Sequence, residues 1–234
     1  MIPLKDTLPT RSFPLVNTLF IIANLLVFVF ELSLGPALEG FVSSWGMVPL
    51  RIVGGSDPER LLTVLSSMFM HGGWMHVIGN MWFLYIFGDN VEDALGKVRY
   101  VFFYFLCGIG AAAAQVVVDP TSKIPMIGAS GAIAGILGAY LSLYPRARVL
   151  TFLPLFIFFQ ILELPAVLFI VFWFVIQAFQ GVASLGDTGG GTAWWAHIGG
   201  FVIGLTMVRL LVPRARTLPN PRDHYGPVRR RVEW

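Results

Sequence analysis

Charged residues are scarce in this chain. Only 12% of its 234 residues are Asp, Glu, Lys or Arg, whereas 56% are hydrophobic and the mean hydropathy is +0.74. A soluble domain of this size carries about a quarter charged residues. Several apolar runs also approach the roughly 20 residues that cross a bilayer. The shortage of charge therefore excludes an ordinary soluble domain and predicts an all-α polytopic membrane protein.

Cysteine is almost absent, and metal-binding patterns are missing. The single cysteine, Cys107, excludes an internal disulfide and a cysteine-based metal cluster. Its place in an apolar run is typical of a small buried hydrophobic residue. His71 and His76 are five residues apart, so they would lie on different faces of a helix, and no H-E-x-x-H pattern occurs. We expect neither a metal nor another cofactor.

Six apolar segments are candidates for membrane spans. They cover residues 13–34, 74–88, 98–118, 129–144, 164–182 and 193–212. The first is too long for the core of a signal peptide and has no A-x-A cleavage pattern after it, so we interpret it as a span. Pro165 suits the first turn of span five. The apolar sequence before it, up to Glu163, is expected to lie at the membrane interface.

The positive charges indicate how the spans are oriented. If the N-terminus is cytoplasmic, the outer segments hold only Arg51, Arg60 and Lys123 of the 16 basic residues. The positive-inside rule therefore predicts that both termini are cytoplasmic, which places a long first loop (residues 35–72) outside. The protein is expected in the cell membrane.

This orientation divides the chain into three parts. They are a cytoplasmic segment (1–12), a six-span membrane domain (13–212) and a basic tail rich in Pro and Arg (213–234). The tail is expected to be disordered and to contact anionic lipid. A nucleic-acid partner is the weaker interpretation of its charge.

Polar residues cluster near the starts of the even-numbered spans, which all enter the membrane from the predicted outer side. His76 and Asn80 are four residues apart and share one helical face. Ser130 opens span four, and His197 lies at the start of span six. Because polar groups inside a membrane are energetically costly, they indicate a functional site or a set of buried partners.

Stripes of small residues follow two of these polar residues and predict close helix packing. The stripes are Gly131, Gly135 and Gly138 on span four, and Gly199, Gly200 and Gly204 on span six. Since both spans run in the same direction, packing the stripes together would bring Ser130 beside His197. A serine and a histidine in a water-poor site can act as nucleophile and general base.

No carboxylate is placed to complete a catalytic triad. Asp119 and Asp187 are predicted in loops, and Glu163 is expected at the opposite membrane face. A Ser–His dyad is therefore the preferred interpretation. His76 and Asn80 could donate hydrogen bonds to an oxyanion, with the backbone N–H of Ser130 as a third candidate donor.

A purely structural interpretation of each residue stays open. Small residues around Ser130 pack helices without any chemistry, and a lone membrane histidine such as His197 can be a buried structural group. His76 and Asn80 could be a hydrogen-bonded pair that holds two spans together.

Four motifs in order resemble the rhomboid intramembrane serine proteases. They are HGGWMH…N (71–80), FGDNVED (87–93), GASG (128–131) and AHIGGFVIG (196–204). The resemblance covers residues 13–212 and implies six helices and cleavage of single-pass membrane substrates near the outer membrane face.

The resemblance also assigns roles to individual residues. It implies Ser130 as nucleophile, His197 as base, and His76 and Asn80 as oxyanion donors, with Gly128 and Gly131 beside the serine. It implies that His71 is structural and hydrogen-bonds to the long first loop.

The chain departs from some rhomboids at two places. Ala134 stands where some relatives carry an aromatic residue that packs on the catalytic histidine. The first loop lacks the Trp-Arg pair of some members, although Trp45 and Arg51 are nearby.

Residues around the last loop suggest a lid and an entrance for substrate. The glycine-rich loop 186–192 could close over the site, with residues 172–174 near a lateral opening. The alternative is a simple connector with lipid-facing aromatics. Trp194 and Trp195 are interpreted as interface anchors.

Two other functions are weighed against a protease. A catalytically inactive relative would bind transmembrane clients without cutting them, but it would be expected to lack the serine or the histidine. A transporter or channel would line a path across the whole membrane with polar residues, whereas the inner halves of these spans are apolar. The oligomeric state does not follow from the sequence.

Overall fold

A computed structural model describes residues 2–55, 57–155, 158–183 and 193–213. Six helices in this part are 14 residues or longer: α1 (Leu15–Ser33), α5 (Trp74–Leu95), α6 (Lys97–Val118), α7 (Ser130–Leu143), α8 (Ala166–Ala183) and α9 (Trp194–Leu211). Three short helices form the loop after α1: α2 (Leu38–Trp45), α3 (Pro49–Gly54) and α4 (Leu62–Ser66). Three strands complete the described part: β1 (Ile2–Asp6), β2 (Arg148–Leu155) and β3 (Phe158–Pro165).

The six longer helices lie where the sequence predicts six spans. By length and composition, α1, α6 and α9 can each cross a membrane. A fourth candidate is formed by residues 58–69 with α5, two helical segments that meet at a bend of 81°. Two shorter apolar helical stretches, Ser130–Leu143 of α7 and Ala166–Gln180 of α8, accompany them. The chain is a mostly helical, multi-pass membrane protein.

The expectation of an all-α chain is wrong in one region, because β1, β2 and β3 form an antiparallel sheet in that order. Pro154 and Pro165 lack the N–H that a helix interior uses, and the Val, Thr, Phe and Ile residues of this region favour strands. The side chains of Arg148 and Glu163 pair across β2 and β3 at 3.5 Å. The sheet also includes the N-terminal segment, for which the sequence predicted no strand. Its partner is β2, about 145 residues later in the chain, so no local pattern indicated the pairing.

Helix α5 continues to Leu95, seven residues beyond the predicted end of span two. The extension carries acidic side chains that find partners on the segment before α1 and in the first turn of α1. Glu92 accepts hydrogen bonds from the backbone N–H groups of Val16 (3.2 Å) and Asn17 (2.7 Å). These bonds satisfy donors that the first turn of a helix cannot pair internally. The N-terminal end of α1 is therefore fixed to the C-terminal end of α5.

Helix α7 lies at the centre of the bundle, and its residues 131–140 are all buried. Its most extensive helix partner is α9. A Cβ atom added to Gly204 would lie 1.8 Å from the carbonyl oxygen of Gly135, and one added to Gly200 would lie 2.0 Å from that of Gly131. The predicted packing of two glycine stripes is thus confirmed. One member is wrongly assigned, because Gly199 faces α6 instead of α7.

Candidate active site

The loop before α7 determines where its first residue lies. Gly128 has φ +127°, a conformation that other residues rarely adopt, and its N–H donates to the carbonyl oxygen of Ser67 at 2.8 Å. A Cβ atom on Gly128 would lie 2.7 Å from Nε2 of His76. The glycine therefore allows the loop to pass close to α5 and to begin α7 at Ser130, with the hydroxyl toward α9.

Ser130 and His197 form a hydrogen-bonded pair. The serine Oγ lies 2.7 Å from Nε2 of the histidine, which is in the first turn of α9 and is buried. The other ring nitrogen, Nδ1, is hydrogen-bonded to Oε1 of Gln177 on α8. The partner of Nδ1 is therefore an amide, and none of the carboxylates that the structure describes lines the cavity beside it.

His76 and Asn80 face the same pair from α5. The backbone N–H of Gly72 donates to Nδ1 of His76 at 3.3 Å, so the proton of the neutral ring is on Nε2. The buried Asn80 NH2 has no hydrogen-bond partner among the residues that the structure describes. Both side chains therefore hold donors that a bound group could occupy.

A cavity of about 670 Å³ joins these residues. Its lining includes the five side chains of Ser130, His197, His76, Asn80 and Gln177, together with Gly128 and Gly131. No Asp, Glu, Lys or Arg lines it among the described residues. The cavity thus presents a nucleophile with a neutral base, two neutral donors and an otherwise largely apolar wall.

His71 lies behind this cavity and is not part of its lining. Its ring is buried and packs edge-on against the ring of His76, with 5.0 Å between centroids. Its backbone N–H donates to the carboxylate of Glu31 on α1, at 3.1 and 3.3 Å to the two oxygens. The backbone of this residue is therefore bonded to α1, and the bond from His71 to the first loop that the resemblance implied stays a prediction.

Comparison with known proteins assigns the family. Residues 58–214 match the model of the Rhomboid domain, which is about two thirds of the chain. The chain belongs to the rhomboid family. Members of this family are generally intramembrane serine proteases, and the motifs identified in the sequence lie in the matched region.

Three relatives show the extent of the similarity. "RHOMBOID-like protein 4" of Arabidopsis thaliana is 27% identical over 198 residues, 85% of this chain and 43% of the relative. "RHOMBOID-like protein 5" of the same plant is 31% identical over 112 residues, 48% of this chain and 35% of the relative. The "Putative rhomboid protease YdcA" of Bacillus subtilis is 32% identical over 78 residues, 33% of this chain and 39% of the relative. The chain thus spans less than half the length of these relatives.

Two aromatic rings pack against His197 in this rhomboid, and neither comes from α7. The rings of Trp173 on α8 and Trp194 on α9 each lie 6.1 Å from the His197 ring, centroid to centroid. Ala134 of α7 is fully buried and has no ring, so the aromatic contacts of His197 come from α8 and α9. The interpretation of Trp194 as an interface anchor stays a prediction, and its ring also packs edge-on against His197.

Gln177 is the site residue that sequence reasoning missed in this rhomboid. The available signal was a polar side chain within the apolar sequence of span five. Nothing local indicated that it faces a histidine 20 residues later in the chain. The proposed lid, loop 186–192, lies outside the described residues, as does the tail from residue 214 onward.

Proposed function

We propose that this rhomboid is a serine endopeptidase that hydrolyses peptide bonds of transmembrane proteins. The observation that carries the proposal is the 2.7 Å hydrogen bond between Ser130 Oγ and His197 Nε2, within a cavity that also holds donors from His76 and Asn80. A cavity that served only to pack helices would not need a hydroxyl, a base and a donor without a partner. No cofactor takes part in the proposed reaction.

The proposed reaction begins with attack of Ser130 Oγ on the carbonyl carbon of the scissile bond. The hydroxyl proton passes to Nε2 of His197, and the carbonyl oxygen becomes an oxyanion. Nε2–H of His76 and the NH2 of Asn80 donate to that oxygen, together with backbone N–H groups in the first turn of α7. The imidazolium then protonates the leaving amine as the C–N bond breaks, which leaves an acyl-enzyme.

Water completes the cycle by the same route. His197 removes a proton from a water molecule that attacks the ester carbon of the acyl-enzyme. Collapse of the second tetrahedral intermediate releases the new carboxyl group and returns the proton to Ser130 Oγ. The serine and histidine thus end as they began, which catalysis requires.

The sequence supports a membrane arrangement for this activity. We propose six spans within residues 13–212, both termini in the cytoplasm, and the multi-pass protein in the cell membrane. In that orientation the site opens toward the outer face, where single-pass substrates would be cut. The N-terminal segment (1–12) and the basic tail (213–234) would both face the cytoplasm, where the tail can contact anionic lipid.

The decisive experiment uses the purified full chain in detergent and in liposomes, with a generic single-span substrate. We expect the wild type to cleave this substrate and to be labelled by a fluorophosphonate probe, whereas Ser130→Ala and His197→Ala lose both properties. Ser142→Ala is the matched control, because Ser142 lies on the same helix and hydrogen-bonds to Arg209 instead of a histidine. Equal cleavage by wild type and Ser130→Ala would overturn the proposal. Binding of the substrate without cleavage or labelling would favour a client-binding relative.

A further inference from the structure

The ring nitrogen of His197 that does not face Ser130, Nδ1, has a side-chain partner of its own. Gln177 is 8% exposed, lines the cavity from α8 and is hydrogen-bonded through Oε1 to Nδ1 of the histidine. The serine and the histidine come from α7 and α9. A third helix therefore supplies the acceptor for the base.

The hydrogen bond to Oε1 has a chemical consequence for the neutral imidazole. An amide oxygen only accepts, so Nδ1 must carry the ring proton. Nε2 is then the unprotonated nitrogen, which is the one that lies 2.7 Å from Ser130 Oγ. This tautomer can accept the hydroxyl proton of the serine, whereas the opposite tautomer cannot.

The same bond also matters after the proton has moved. When His197 becomes an imidazolium, its Nδ1–H is a charged donor and the bond to Gln177 strengthens. Among the described residues, no acidic or basic side chain lines the cavity to perform this role. Trp173 and Trp194 confine the ring by packing, but they offer it no acceptor at Nδ1.

We propose that Gln177 is a positioning residue that holds His197 in the base-competent tautomer and stabilises its protonated form during catalysis. This inference rests on the proposed protease function and adds a third side chain to its Ser–His pair. Gln177 is bonded to the ring nitrogen that does not face the serine, so it acts through the histidine.

The test replaces Gln177 in three ways in the full chain and measures cleavage of the single-span substrate from pH 5 to pH 9. Gln177→Met keeps the side-chain length and removes the acceptor, and Gln177→Ala removes both. We expect each to lower kcat by about 10- to 100-fold with KM changed less than about twofold, the effect of losing a hydrogen bond to a charged group. Thermal unfolding in detergent verifies that each variant is folded.

Gln177→Glu distinguishes a positioning role from a merely structural one. A carboxylate still accepts from Nδ1–H and favours the imidazolium, so this variant should retain cleavage. Its kcat/KM should begin to fall, on the acid side, at a higher pH than in the wild type. Gln180→Met is the matched control, because Gln180 lies on the same helix outside the cavity lining, and its pH profile should equal that of the wild type.

Two results would overturn the proposal. One is wild-type kcat in Gln177→Met. The other is an equal loss of activity in Gln177→Met and Gln177→Glu with the pH profile of the residual cleavage unchanged, which a purely structural glutamine would produce. Failure of the protease function is separately visible, because the wild type itself would then neither cleave nor react with the fluorophosphonate probe.

Discussion

The two ends of α7 differ in how the buried polar groups around them are paired. At the dyad end, around Ser130, the NH2 of Asn80 has no partner among the described residues. At the sheet end, around Tyr140, the tyrosine hydroxyl donates to Asp6 at 2.7 Å and Tyr144 donates to a backbone carbonyl. The carboxamide oxygen of Asn90 is an exception there.

This difference separates groups that stabilise the fold from groups that are available for binding. A buried polar atom without a partner costs about 1–3 kcal/mol, so it persists where another requirement retains it. The paired groups at the sheet end hold the N-terminal segment and α1 against the bundle. The unpaired donor of Asn80 instead lines the cavity beside the dyad. Substitutions at the dyad end should therefore change kcat, whereas substitutions at the sheet end should change the free energy of unfolding.

The largest effect is expected between the two ends of α7, where its backbone meets the backbone of α9. Gly204→Ala would place a Cβ atom 1.8 Å from the carbonyl oxygen of Gly135, so α9 must move away from α7. We expect cleavage to fall by about 10²–10⁴-fold, the contribution of a positioned general base, together with a lower thermal unfolding temperature. Gly40→Ala is the control, since nothing lies within 4 Å of its added Cβ and alanine favours the helix. Wild-type activity in Gly204→Ala would contradict this packing.

A second prediction compares two buried asparagines. Asn80→Ala removes a donor without a partner at the dyad end, so kcat should fall by about 10²–10³-fold, the usual cost of losing an oxyanion donor. The thermal unfolding temperature should stay the same or rise. The measurements are kcat with the single-span substrate and unfolding in detergent.

Asn17→Ala is the counterpart near the sheet end. Its side chain donates to the carbonyl of Leu84 at 2.9 Å and accepts from the Tyr100 hydroxyl at 2.7 Å. Losing both bonds should lower the free energy of unfolding by about 2–4 kcal/mol, while kcat per folded molecule is retained. If Asn80→Ala destabilised the protein as much as Asn17→Ala and left kcat unchanged, the distinction between the two ends would fail.

The last prediction concerns the pH dependence of stability at the sheet end, where no change in kcat per folded molecule is expected. Burial is the main reason that the pKa of the Asp6 carboxyl is raised from 3.8 to about 7, aided by the nearby Asp89 and opposed by the hydrogen bond from Tyr140. The folded state thus binds the proton more tightly than the unfolded state. The resulting stability is complete below about pH 4 and is lost as the pH rises through about 7, by at most about 4 kcal/mol.

Asp6→Asn tests this dependence, because asparagine still accepts from Tyr140 but does not ionise. We expect the unfolding temperature of the wild type to fall more between pH 5 and pH 8 than that of Asp6→Asn. Glu39→Gln, at an exposed position on α2, should behave like the wild type. Identical pH slopes in wild type and Asp6→Asn would show that the Asp6 carboxyl does not titrate in this range.

Much of this arrangement could be predicted from local pattern and direction. The apolar runs located six helices to within a few residues, apart from the C-terminal extension of α5. The glycine stripes, combined with the parallel direction of spans four and six, predicted the contact between Ser130 and His197. The catalytic roles of these residues, the six spans and the orientation of the termini stay predictions.

The errors share one cause, which is that they concern partners distant in sequence. The strand of residues 2–6 exists because it pairs with β2, and Gly199 faces Gly110 and Ala114 of α6. Gln177 is hydrogen-bonded to a histidine on another helix, which no local pattern indicated. Periodicity and composition describe one segment at a time and contain no information on such pairings.

The sequence by itself therefore determined that this is a membrane-embedded rhomboid and that a serine and a histidine are carried by two closely packed helices. These properties follow from hydropathy, helical spacing and the small size of glycine, which act within short segments. The tertiary structure alone decided that Gln177 accepts from the histidine, that two tryptophans confine its ring, and that Asp6 is buried against Tyr140. Those contacts depend on how helices and strands approach one another, and that geometry is established only when the whole chain is packed.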